Sequence, residues 1–141
     1  MPVSISRSGR RIGVLVNYVG LVMSLLTIYL GRYLGWHNLF TVVLAATLLV
    51  TLVTFFRYHV RTGLWRLVHT GVENLDERQR QVAHESLRHS YSVFSIVVLA
   101  ILLWQAVASQ YDPNLIFIFA ALLYLAHTLP SSILAWIEKE V

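Results

Sequence analysis

Four long stretches without a single Asp, Glu, Lys or Arg constrain this 141-residue chain more than any other feature. They cover residues 12–30, 39–56, 91–109 and 115–136, each close to the roughly 20 apolar residues that a transmembrane helix needs. Only 13% of all residues are charged, about half the share of a soluble domain. The sequence therefore predicts an all-α integral membrane protein with four transmembrane helices.

The connections between these stretches predict two helical hairpins within a single membrane domain, residues 1–141. Short loops join the first pair and the second pair, and the second loop carries the turn-forming run Asp-Pro-Asn at 112–114. A long polar stretch, residues 57–90, separates the pairs. The basic start before residue 12 also fits a secretory signal, but no small-x-small cleavage site follows residue 30, so we expect a retained helix.

The basic residues predict the orientation of the hairpins. Ten of the eleven Lys and Arg residues fall on one side of the predicted spans, and only Arg32 falls on the other. Because cytoplasmic loops of membrane proteins carry an excess of Lys and Arg, this asymmetry places both termini and residues 57–90 in the cytoplasm. We expect a multi-pass protein of the inner (plasma) membrane, and we count the lipid bilayer among its partners.

The first part of the long polar stretch, residues 57–69, has the spacing of a helix. An apolar stripe runs beside a basic and aromatic stripe (Val60, Leu64, Leu67 and Val68; Arg57, Arg61, Trp65 and His69). Gly71 is expected to end this helix, because glycine readily adopts the left-handed conformation at that position. A helix lying flat on the membrane would bring its Arg residues to anionic lipid, whereas an upright one would continue the second span. We favour the upright arrangement.

A second cytoplasmic helix is predicted to run without interruption from residue 75 to residue 109, so that the third span projects out of the membrane. Asn74, followed three residues later by Glu77, resembles a capping box. Acidic residues in the first turn suit the positive end of the helix dipole. Oppositely charged residues three or four positions apart, such as Glu77 with Arg80 and Glu85 with His89, would support the exposed part of this helix.

His127 is the sharpest candidate for chemistry because a titratable side chain in the middle of a span is a functional-site hypothesis by default. The alternative, which we favour, is a neutral imidazole that joins neighbouring helices by hydrogen bonds. Asn17 and Gln105 are uncharged polar groups in apolar runs, and either could line a path. Such amides more commonly hold helices together.

The sequence offers little support for catalysis, cofactors or metals. The chain has no cysteine, and no other histidine lies at the depth of His127, so neither thiolate sites nor bis-histidine haem is expected. The loop histidines lack the repeat of a metal site and are interpreted as surface residues.

A net charge of +4 is weak evidence for nucleic acid, which we do not expect as a partner. Because no acidic residue lies in a span, a small multidrug exporter is largely excluded.

The run Leu75-Asp76-Glu77-Arg78-Gln79-Arg80, leading through a short polar helix into a span, resembles a loose group of small bacterial membrane proteins. These are uncharacterised, DUF2178-like domains of about four spans with a juxtamembrane "DER" signature. The resemblance covers about twenty residues and implies the four-span layout. It implies no activity, catalytic residue or cofactor.

We therefore expect a non-enzymatic accessory or regulatory subunit that docks a protein partner, or a second copy of itself, through its charged cytoplasmic hairpin. The docking candidates are Asp76, Glu77, Arg78 and Arg80, since polar specificity is concentrated around them. The alternative is a small oligomeric transporter or channel with His127 and Asn17 lining the path. A membrane enzyme would need a cluster of acidic or histidine side chains at one depth, and the acidic cluster near residue 76 has the pattern of a helix start.

Overall fold

The computed structural model describes residues 6–71, 75–108 and 115–137, and all its regular structure is helical. The helices follow one another as α1 Arg7–Leu34, α2 Asn38–Phe55, a π-helical turn Phe56–Val60, α3 Leu64–His69, α4 Glu77–Ala108 and α5 Leu115–Ile137. The predicted turn at 110–114, the predicted cap Asn74 and the basic residue Lys139 lie outside the described residues. The all-α prediction is confirmed for the part of the chain that the structure describes.

Four of these helices are long and apolar enough to cross a membrane: α1, α2 together with its π-helical turn, α4 and α5. The most apolar window has a mean hydropathy of 2.5 and lies in Asn38–Val60. Helix α4 is a single helix of 32 residues, which confirms the predicted uninterrupted helix through the third apolar stretch. The described part of the chain therefore contains four candidate transmembrane helices, as a multi-pass membrane protein requires.

Helix α1 is the centre of the packing. It lies against α2 along most of its length and also against α5, while α4 packs on the other side of α5. The short helix α3 contacts α5 and α4. The order across the bundle is thus α2, α1, α5, α4, with α1 and α5 inside. Helix α2 accordingly buries only Thr51 and Thr54.

The close packing of α1 depends on a seam of small and polar residues. They are spaced alternately four and three positions apart and are all buried: Gly13, Asn17, Gly20, Ser24, Thr27 and Gly31. A Cβ atom added at Gly20 would lie 2.5 Å from Oγ1 of Thr51, and one at Gly13 would lie 2.3 Å from the ring of Tyr58. Small residues at such a seam let two helix backbones approach closely, so that van der Waals contact replaces the missing hydrophobic force in lipid.

Guanidinium groups of α1 bind the end of α5. Nη2 of Arg7 and Nη2 of Arg11 each donate to the backbone oxygen of Trp136, at 3.0 Å in both cases. The Arg11 guanidinium also lies 4.7 Å from the ring centroid of Trp136. Because the last carbonyl groups of a helix lack internal partners and carry partial negative charge, these cations satisfy and stabilise the α5 terminus. We call this end of the bundle the basic end.

Residues 57–69 differ from the predicted upright helix. Helix α2 ends at Phe55 and widens into a π-helical turn closed by the Arg61 amide and the Phe56 oxygen at 3.0 Å. The chain then turns at Gly63, whose φ of +81° is left-handed and suits a glycine. Helix α3 therefore folds back against α5, and Leu64 is fully buried. The apolar periodicity was consistent with one helix, but the left-handed glycine interrupts it.

The start of α4 is capped by other residues than predicted. The Gln79 amide donates to Oδ1 of Asp76 at 2.7 Å, and the Asp76 amide donates to Oε1 of Gln79 at 3.2 Å. This reciprocal pair is a capping box with Asp in the place of Ser or Thr. It begins two residues after the predicted box. The sequence allowed both positions, because Asp76 and Gln79 have the same three-residue spacing as Asn74 and Glu77.

We predict that Gly20→Leu lowers the free energy of unfolding by about 1–3 kcal/mol, the usual cost of overpacking. The physical reason is the 2.5 Å approach between the new Cβ and Thr51. Unfolding of the purified protein in mixed micelles, titrated with sodium dodecyl sulfate, measures this change. Val19→Leu is the matched control, since Val19 is 59% exposed and should tolerate the larger side chain. Equal stability of the two variants would contradict the packing described for α1.

Candidate functional site

Asn17 lies at the junction of three helices and is fully buried. Its Nδ2 donates to the Thr51 carbonyl oxygen at 2.8 Å and to Oγ1 of Thr54 at 3.0 Å, both on α2. Its Oδ1 accepts a hydrogen bond from the Tyr124 hydroxyl of α5 at 2.8 Å. Both ends of the amide therefore have partners on other helices, and Asn17 joins α1 to α2 and α5 rather than lining an open path.

A second polar contact between α1 and α5 lies one residue further along. The Tyr18 hydroxyl is 2.7 Å from Oγ of Ser132 and 3.2 Å from Oγ1 of Thr128. Both α5 hydroxyls also reach a backbone oxygen of their own helix, that of Tyr124 for Thr128 and that of Thr128 for Ser132. In these bonds each hydroxyl donates its proton to a backbone oxygen of α5, so it can only accept a hydrogen bond from Tyr18. Tyr18 therefore serves as the donor that links the two helices.

His59 occupies the core next to the proline of α5. It is fully buried, its Nδ1 lies 2.7 Å from Oγ of Ser131, and its ring stacks on Phe55 at 5.6 Å between centroids. The Ser131 hydroxyl donates to the Thr128 carbonyl oxygen at 2.9 Å, so the proton of the His59–Ser131 bond belongs to Nδ1. Nε2 of His59 is buried without a hydrogen-bond partner in the structure. The arrangement holds the π-helical turn against α5.

His127 differs from the expected interhelical contact. Its Nδ1 lies 2.8 Å from the Leu123 carbonyl oxygen of the same helix, and the side chain is exposed. Because a carbonyl oxygen only accepts, Nδ1 carries the proton, and Nε2 of the neutral ring is an acceptor. His127 therefore does not hold neighbouring helices together through that bond. It presents a hydrogen-bond acceptor at the middle of α5, about 18 Å along the axis from Leu115.

An apolar groove of about 640 Å³ adjoins His127. Side chains of α2 and α5 line its two sides, α1 forms its floor, and Trp65 of α3 closes it at the basic end. Beside Trp65, the rings of Phe55 and Tyr124 lie 5.9 Å apart, and Phe55 meets Trp65 edge-on at 5.5 Å. Groove volume and lining are those of a small-molecule site, which is typically 300–1,000 Å³ and apolar with a few polar groups.

The predicted docking residues lie together at the start of α4, at the surface. Asp76 forms the cap, and Nε of Arg80 donates to the Leu75 carbonyl oxygen at 2.9 Å, so both take part in the helix start. Glu77 has a side chain 93% exposed, and its nearest contact with Arg80 is a loose 3.9 Å. Arg78 is exposed on the neighbouring face. Glu77 and Arg78 are the members of the set that face outward.

Gln105 lies three residues before the end of α4 and is partly exposed, in a helix that packs on α5 rather than beside Asn17. Among the described residues, no group of three or more His, Asp or Glu side chains has the arrangement of a metal site. The histidine and acidic side chains of α4 are at the surface, including the predicted Glu85–His89 pair at 3.8 Å.

Sequence reasoning identified Asn17 and His127 but missed the side chains that surround them. The missed residues are Tyr18, Thr51, Thr54, His59, Tyr124 and Ser131. A usable signal was present: Thr47, Thr51, Thr54 and Tyr58 repeat the four–three spacing of the α1 seam, as do Ala121, Tyr124, Thr128, Ser131 and Ala135 on α5. Three helices with matching spacing of small and hydroxyl residues indicate a shared interface.

Comparisons with protein-family models, with curated proteins and with solved structures find no match to this chain.

We predict that Asn17 and Tyr124 are energetically coupled. A double-mutant cycle with Asn17→Ala and Tyr124→Phe should give a coupling energy of about 0.6 kcal/mol and at most about 1.7 kcal/mol, the range for side-chain hydrogen bonds within membrane proteins. Unfolding in mixed micelles provides the four free energies. Tyr29→Phe is the matched control for Tyr124→Phe, since Tyr29 is 54% exposed and should show no coupling to Asn17. Additive effects at both tyrosines would contradict the proposed junction.

Proposed function

We propose that the protein is a non-enzymatic accessory or regulatory subunit of a bacterial inner membrane, which docks a protein partner through the start of α4. In this proposal the four long helices span the bilayer as two hairpins, with both termini and residues 57–90 in the cytoplasm. One observation carries it: α4 has a charged, exposed face at the basic end, and its opposite face is anchored on the bundle.

The distribution of basic residues supports the proposed orientation. Arg7, Arg11 and the start of α4 lie at the end of the bundle where α5 ends, whereas Arg32 lies near the opposite end of α1. Ten of the eleven basic residues belong to the side that we assign to the cytoplasm. The bonds from Arg7 and Arg11 to α5 would lie at the membrane surface, where guanidinium groups can also meet lipid headgroups.

Of the predicted docking residues Asp76, Glu77, Arg78 and Arg80, Glu77 lies on the face that we propose for docking. This face continues along α4 through Gln81, His84, Glu85 and Arg88, all exposed. The opposite face of the same turns is buried and consists of Ala83, Ser86 and Ser90. The ion pair between Glu77 and Arg80 is 3.9 Å long and joins exposed groups, so it contributes less than about 1 kcal/mol. Glu85 lies 3.8 Å from His89, and both side chains are exposed. The docking face therefore presents charges of both signs, held on a rigid helix, that a complementary partner can pair.

The transporter or channel alternative receives less support from the geometry. Asn17, which was expected to line its path, forms hydrogen bonds with α2 and α5 at both ends of its amide. A conducting path would have to break that junction. His127 remains exposed in the apolar groove. The other polar residues that line the groove already form hydrogen bonds within the bundle: Ser24, Thr51, Tyr124 and Thr128.

The docking proposal predicts that exchanging Glu85 and Arg88 abolishes retention of a partner. The double variant Glu85→Arg/Arg88→Glu keeps the net charge but places like charges opposite those of the partner, which costs several kcal/mol. The full-length chain is tagged, expressed in its own cells and purified in mild detergent, and its native mass and co-purifying polypeptides are measured. We expect a stoichiometric polypeptide with the unmodified chain and at least about tenfold less of it with the exchanged pair.

Arg66→Gln is the control for a charge change at the same end of the bundle, since Arg66 is exposed on α3 and lies outside the docking face. It should retain the partner. Membrane insertion and unfolding of all variants are measured in parallel. Full retention by the exchanged pair, or a native mass with no second polypeptide, would refute docking through α4.

A further inference from the structure

The apolar groove is long and lies along α5. It reaches from Phe117 to Thr128, a rise of about 16 Å along the helix axis. Its volume of about 640 Å³ lies within the range of small-molecule sites. A flat ring with a hydrocarbon tail fits a groove of this length and volume.

The groove contains a hydrogen-bond acceptor, Nε2 of His127, with which a plain hydrocarbon cannot pair. Nε2 of His127 is an acceptor because Nδ1 gives its proton to the Leu123 oxygen. A polar group facing an apolar medium without a partner costs free energy. The position of His127, near the middle of α5, lies away from the headgroups of a bilayer that α5 would span. An occupant that forms a hydrogen bond with Nε2 of His127 must carry a hydroxyl or amine donor into the membrane interior.

The groove also offers aromatic surface next to that acceptor. Tyr124 and His127 are three residues apart and thus lie on one face of α5. The Tyr124 ring packs with Phe55, and Phe55 packs with Trp65, at centroid distances of 5.9 and 5.5 Å. Aromatic rings prefer edge-to-face or offset contacts at such distances. A flat ring bearing the donor would extend this cluster, and an apolar tail would fill the rest of the groove.

We propose that the groove binds a membrane-soluble hydroquinone, a flat aromatic ring with hydroxyl donors and an apolar tail. One hydroxyl donates to Nε2 of His127, and the ring packs against Phe55, Trp65 and Tyr124. The site is independent of the docking face on α4, so either proposal can fail while the other holds. Binding alone is proposed, with no transfer of electrons.

Three probes with the same ring skeleton and decyl tail test the assigned donor: decyl-substituted hydroquinone, its dimethyl ether and the corresponding quinone. Only the first carries hydroxyl donors. Equilibrium binding is measured to the full chain in lipid nanodiscs. We expect saturable binding of the hydroquinone, about two- to tenfold tighter than of the ether or the quinone, the value of one hydrogen bond. His127→Leu should remove this preference, while Val42→Leu, at a 65% exposed residue of α2, should leave it unchanged.

A single cysteine distinguishes the other occupants, because the chain has no cysteine of its own. Ala120, which lines the groove and is exposed, is changed to Cys and treated with a membrane-soluble maleimide. The hydroquinone should protect the thiol from labelling. Equal affinity for all three probes, the same preference in His127→Leu, or the absence of saturable binding would overturn the proposal. A disulfide-linked dimer through this cysteine would also overturn it, by showing that a second copy covers the groove.

Discussion

Close contact between α1 and its neighbours depends on the seam of small and polar residues along one side of that helix. Glycine at 13 and 20 allows the backbone of α1 to approach Tyr58 and Thr51, and no larger residue fits there without a shift. That approach brings Asn17 within hydrogen-bonding distance of α2. In lipid, where apolar side chains gain little by leaving the solvent, these contacts and hydrogen bonds supply the specificity of helix association.

The same seam determines where the groove lies. The glycines of the seam bring α1 close to α2, and Tyr124 of α5 reaches Asn17 of the same seam. Helix α4 is placed on the far side of α5. The space above α1, between α2 and α5, is occupied by none of the described helices and forms the groove that His127 lines. The exposed face of α4 and the groove are separate consequences of one packing order.

Much of the fold could be predicted because length and lack of charge alone identify a candidate membrane-spanning helix. The uninterrupted helix through α4 followed from the absence of Gly and Pro between residues 77 and 108. The break after α2 could not be predicted from periodicity, since Val60, Leu64 and Leu67 fit one helix and only the left-handed Gly63 shows otherwise. The contact of His59 with Ser131 depends on the π-helical turn and on α5, so no local sequence pattern predicts it.

Helix α1 lies against α2 through the small-residue seam, and a pair of cysteines tests this contact most directly. The side chains of Ser24 and Thr47 meet, with Oγ and Oγ1 2.9 Å apart, so Ser24→Cys/Thr47→Cys should form a disulfide. Oxidation in native membranes, followed by mass spectrometry of the intact chain, measures it. We predict rapid formation of a disulfide within one chain. Free thiols after oxidation, or a bond between two chains, would contradict this packing of α1.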